Sequence, residues 1–96
     1  MPVQAIVGAT IIDGTGAAPV TDGAVVVENG LITGAGAVDI PPDATVIEAP
    51  GHTVMPGLID CHQHVSHRYT TLDRLQMNLR RGATTVAGVT SRPSNA

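Results

Sequence analysis

A strand, a helix and a second strand follow one another after Pro56-Gly57, and that order constrains the fold more than any other feature. Leu58 and Ile59 open a short apolar run that Val65 closes, and Pro56-Gly57 ahead of it marks a turn. Thr71 to Arg81 reads as a helix, because Leu72, Leu75 and Leu79 recur at i, i+3 and i+7 and form one apolar face. Thr70 or Thr71 can cap its start, and Asp73 lies in its first turn. Arg80 and Arg81 occupy the last turn, where the helix dipole favours cations, and Gly82 is a natural stop. Thr84 to Thr90 is short and β-branched and reads as a strand. Connections this tight predict a βαβ unit with parallel strands and a right-handed crossover.

The residues before this unit read as small β-structure. Gln4 to Asp13 is rich in Ile, Val and Ala and reads as a first strand. Asp13-Gly14-Thr15-Gly16 breaks it; the glycine spacing fits neither the dinucleotide nor the P-loop pattern and no helix follows, so it reads as a turn. Ala17 to Gly23, with Pro19, reads as a loop. Asn29-Gly30 lies between Ala24–Glu28 and Leu31–Ala35, and both residues tolerate the positive φ of a type I′ hairpin turn. Gly34 and Gly36 weaken the second of these strands and can mark a bulge or its end. Pro41-Pro42-Asp43 is a loop, Thr45 to Glu48 another short strand, and Pro50-Gly51 closes it. The domain expectation is therefore a β-rich segment over 1–55 and the βαβ unit over 56–96.

Composition narrows the function classes. The chain has 96 residues, one Tyr, no Phe and no Trp, so its core must be built from Val, Ile, Leu and Ala. The net charge is −3 and all five basic residues are Arg, with no basic stripe or aromatic platform for nucleic acid. Cys61 is the one cysteine, which excludes an internal disulfide; inside an apolar strand it is expected to be a buried, inert thiol. Met1-Pro2-Val3-Gln4 has no basic stretch or long apolar core of a signal peptide, and no apolar run reaches the roughly 20 residues of a membrane span. Cytoplasm is the expected location.

The polar end of the apolar strand is where chemistry can be read. Strand alternation puts Asp60, His62 and His64 on one face. Two imidazoles at that spacing can converge on one cation, and neutral imidazole is a common ligand for zinc. Asp60 could orient a ring N–H. The alternative is two polar residues at a strand end facing water. His67, in the following loop, reads as a solvated histidine and His52, ten residues ahead of His62, as a structural one. Arg68 and Tyr69 read as exposed loop residues that would touch a substrate only if that loop borders a pocket.

Val54-Met55-Pro56-Gly57-Leu58-Ile59-Asp60-x-His62-x-His64 resembles the first barrel strand of the amidohydrolase superfamily of metal-dependent hydrolases. Asp22 to Ile32 and Ala44 to Gly51 look like that family's amino-terminal β-sandwich segment, and Arg81-Gly82-Ala83-Thr84-Thr85-Val86 like the start of its second barrel strand. The resemblance implies a mixed β/α fold, with sandwich strands followed by the first strand–helix–strand unit of a (β/α)8 TIM-type barrel. Such a barrel takes about 250 residues, so it is incomplete in this chain. The resemblance implies further that His62 and His64 are metal ligands, most often for zinc, in one- or two-ion sites. The reaction implied is attack of a metal-activated water on an amide, a lactam or another C–N bond, with deamination as a related outcome. The family's remaining histidines, its aspartate and its bridging carboxylated lysine come from later strands, and this chain has no Lys. No catalytic residue is therefore assigned, and the isolated chain is expected to be inactive. A small-molecule substrate is the expected partner of the complete protein, with a homo-oligomer or a complementing carboxyl-terminal piece as the expected protein partner. The competing expectation is a small non-enzymatic β-rich module, oligomeric, with structural or interface metal-binding histidines.

Overall fold

The structure is a computed structural model, and it describes residues 2–64 and 71–89. Val65, the stretch 66–70 expected to be a loop, with His67, Arg68 and Tyr69, and the residues from Thr90 onward lie outside the described residues. The chain divides into two compact units, Met1–Pro56 and Gly57–Ala96.

The first unit is one five-stranded sheet, built from β1 (Val3–Ile11), β2 (Val20–Glu28), β3 (Leu31–Gly36), β4 (Thr45–Glu48) and β5 (Thr53–Val54). The order is β3-β2-β1-β4, with β5 also on β1. β1 and β2 are antiparallel, β2 and β3 are antiparallel, and β4 and β5 run parallel to β1. The β2–β3 hairpin turns through Asn29 (φ 53°) and Gly30 (φ 75°), with Glu28 paired to Leu31, as the Asn-Gly signal predicts.

β2 begins at Val20, three residues inside the stretch expected to be a loop. Val20 pairs with Ile11, and Asp22 absorbs the mismatch with a left-handed backbone (φ 51°), a conformation Asp tolerates better than most residues.

The core is thin and two-sided. Val3, Ala5 and Val26 are buried in one cluster, against Val7, Val38 and Ala44. Ala9, Ile11 and Val25 are buried in another, against Val20, Val27, Ala49 and Val54. Val25 and Val26 are successive strand residues, so the two clusters occupy opposite faces of the sheet. β1 serves both. Val7 pairs with Ala24 and Ala9 with Gly23, so Gly8 is an extra residue, at φ 76°. This bulge turns Ala9 and Ile11 to the face opposite Val3 and Ala5.

The second unit contains β6 (Leu58–His64), α1 (Thr71–Arg80) and β7 (Ala83–Val89), with β6 and β7 paired in parallel. α1 ends one residue before the expected Arg81. The Arg81 amide donates to the carbonyls of Met77 and Asn78, the Gly82 amide donates to that of Leu79, and Gly82 adopts φ 99°. The apolar face of α1 is open to solvent, with Leu72 68% and Leu79 60% exposed. Leu58 and Ile59, expected in a buried strand, are exposed as well, Ile59 at 64%. No helix among the described residues is long and apolar enough to cross a membrane.

Candidate metal centre

β6 starts where the chain is tightest. The Leu58 amide donates to the Gly82 carbonyl at 2.8 Å, which ties the start of β6 to the turn after α1. Leu58, Ile59 and Asp60 then pair with Ala83, Thr85 and Val86, and Gln63 and His64 with Gly88 and Val89. Between Asp60 and Gln63 the register slips: three steps on β6 match two on β7. The slip falls on Cys61 and His62. The Asp60 carboxylate turns back onto this kink, its Oδ1 accepting from the His62 amide at 3.1 Å.

This geometry changes the simple alternation expected for Asp60, His62 and His64. The count from Asp60 to His62 passes through the irregularity, whereas Gln63 and His64 follow one another in regular register. The Asp60 carboxylate accepts from the backbone amide of His62. Gln63 is anchored to the helix, with its Oε1 accepting from Asn78 Nδ2 at 2.7 Å in a partly buried contact. His62 is exposed, and the His64 side chain lies outside the described residues. Cys61 is exposed, which corrects the expectation of a buried thiol. The reason is that the apolar run around it is uncovered among the described residues: Ile59, two positions before it, is itself exposed.

His52 belongs to the first unit, and its Nδ1 lies 3.1 Å from the Pro50 carbonyl in a local turn contact. Asp13, in the glycine-rich stretch, takes both the Thr15 hydroxyl (2.6 Å) and the Thr15 amide (2.9 Å) on Oδ1. These two hydrogen bonds, the hydroxyl's first, hold its pKa below the ordinary value. The stretch is thus a self-satisfied turn. A hollow of about 480 Å³ in the first unit, lined by Val7, Gly8, Asp22, Gly36 and Ile40 among others, has no histidine in its walls.

The donor chemistry of β6 fits a divalent metal in part. Two neutral imidazoles suit zinc, and catalytic zinc sites take three protein ligands. Among the described residues no group of three His, Cys, Asp or Glu side chains comes together.

No protein-family model matches the chain. An enamidase from Eubacterium barkeri is 43% identical over 70 residues, which is 65% of this chain and 18% of the enzyme. An N-acyl-D-aspartate deacylase from Alcaligenes xylosoxydans xylosoxydans is 36% identical over 88 residues, covering 88% of this chain and 18% of that protein. The crystal structure of N-acyl-D-glutamate deacylase from Bordetella bronchiseptica, complexed with zinc and a phosphonate inhibitor, matches 100% of this chain and 21% of its own, at 31% identity and a TM-score of 0.73. The chain belongs to the amidohydrolase superfamily. This amidohydrolase sequence spans about a fifth of the length of the relatives it matches. It shares their mostly-strand architecture over that span, and His62 and His64 lie within the matched region of the deacylase structure.

Proposed function

We propose that this chain forms the β-rich segment and the first strand–helix–strand unit of a (β/α)8 metal-dependent hydrolase that cleaves an amide, a lactam or another C–N bond in a small molecule. The observation that carries the reading is the match of the whole chain to a deacylase crystallised with zinc, together with a His-x-His pair at the carboxyl end of a parallel strand. Barrel enzymes place reacting groups at that end of their strands. Enamidase and N-acyl-amino-acid deacylase relatives support a C–N bond as the target.

His62 and His64 would hold the metal, most suitably zinc, with the remaining ligands supplied by later strands. When bound, such a metal supplies Lewis acidity and ionises a water near neutral pH. This chain's own contribution is to present the imidazoles from a strand whose start is pinned at Gly82 and whose end is tied to α1. The exposed Ile59, Leu72 and Leu79 support a partial barrel, since in a closed barrel strands and helices bury such residues against their neighbours. The β-rich sheet would be one layer of a sandwich in the same reading. The 96 residues alone would lack hydrolytic activity, since they carry too few ligands.

Zinc titration of the chain and its variants tests the reading. His62→Ala and His64→Ala should each abolish the zinc binding that the chain's two imidazoles provide, and His52→Ala should leave it unchanged. Equal affinity in all three variants would sink the assignment.

A further inference from the structure

We propose that Asn78 is a positioning residue for the histidine-bearing end of β6, acting through Gln63; the inference rests on the metal reading above. Gln63 stands between the two histidines, immediately past the point where the β6–β7 register slips. Burial of one face specifies a strand's register, because a shift of one residue exchanges the faces on which its side chains stand. Apolar packing does little to specify this one: Leu58 and Ile59 are exposed, and Gly88, the register partner of Gln63, offers no side chain. The Asn78–Gln63 amide pair supplies a specification, joining α1 to β6 across 15 positions of the chain at 2.7 Å. It commits Gln63 to the helix side of the strand, and in regular register the next position falls on the opposite side. A metal site depends on such supporting contacts, since ligands that are not held lose affinity by about 10- to 100-fold.

The test is Co2+ titration of the 96-residue chain, read by ligand-field absorption and by competition with Zn2+. Asn78→Ala should weaken Co2+ binding about tenfold and alter the absorption bands, while far-UV circular dichroism is retained. The swapped pair Gln63→Asn/Asn78→Gln rebuilds a side-chain amide hydrogen bond of the same combined length and should restore affinity and spectrum. Identical Co2+ affinity and spectrum in wild type and Asn78→Ala, with His62→Ala still abolishing binding, overturns the positioning role and leaves the metal reading standing. The same Co2+ response in wild type and His62→Ala overturns the metal reading, and the positioning role with it. A loss in Asn78→Ala that the swapped pair fails to restore assigns the effect to folding and also overturns the proposal.

Discussion

Gly57 and Thr84 approach so closely that a Cβ placed on Gly57 would fall inside the Thr84 side chain, 2.7 Å from its Cβ. The contact sits at the mouth of the β6–β7 pair, beside the hydrogen bond from Leu58 to Gly82. Gly57→Ala should therefore splay the two strands at their start, at a cost of about 1–3 kcal/mol, the range for overpacking. Thr84→Gly in the same chain should recover part of that loss. Chemical denaturation of the two single variants and the double variant checks this; purely additive losses would mean the two residues do not clash.

The hairpin at Asn29-Gly30 predicts an asymmetric response. Both residues have positive φ. Gly30→Ala should destabilise the chain by about 1–2 kcal/mol, the cost of a left-handed conformation for an L-residue. Asn29→Gly should change stability far less, because glycine is also favoured there. Urea unfolding midpoints would rank the two variants.

Asp13 carries a pH signature. Its carboxylate is stabilised by the Thr15 hydroxyl and then by the Thr15 amide, so its folded pKa is lowered from 3.8. A depressed folded value means that its contribution to stability is complete above the unfolded value and is lost as pH falls through the lower, folded one. Thr15→Val removes the hydroxyl and should move the Asp13 pKa back toward its ordinary value. Carboxyl-carbon NMR titration reads this directly, and an unchanged pKa would reject the hydroxyl as its main cause.

Ile11 is the largest buried side chain of its cluster, at 2% exposure, among Ala9, Val25 and Val54. Ile11→Ala should cost about 2–5 kcal/mol and Ile11→Val about 0.5–1.5 kcal/mol. Against the roughly 5–15 kcal/mol that a domain has in total, the alanine variant should melt at a clearly lower temperature than the valine variant. Calorimetry of the two variants would show it.

Much of the fold was legible in local chemistry. Asn29-Gly30 specifies its turn by backbone φ alone, and β4 runs from Thr45 to Glu48 as read. The spacing of Leu72, Leu75 and Leu79, with Gly82 as a stop, placed α1 to within a residue. What stayed illegible depends on partners distant in sequence. Val20 joins a strand only because Ile11 lies opposite it. Cys61 and Ile59 read as buried from their neighbours' apolarity, yet burial needs a second layer, and both are exposed. At the candidate site the His-x-His pair was visible as a motif. The slip between Asp60 and Gln63 was not, nor was the hold of Asn78 on Gln63, since both are set by β7 and α1.

The extra residue at Gly8 has a consequence for how this chain can evolve. Because it sends Val3 and Ala5 to one cluster and Ala9 and Ile11 to the other, the two halves of β1 answer to different neighbours. A change at Ala5 would be compensated around Val38 and Ala44, and a change at Ile11 around Ala49 and Val54. Substitutions along this one strand should thus drift as two independent blocks among relatives. Drawing that glycine into regular register, without the bulge, would return Ala9 and Ile11 to the face of Val3 and Ala5 and force both sets of side chains to compete for it.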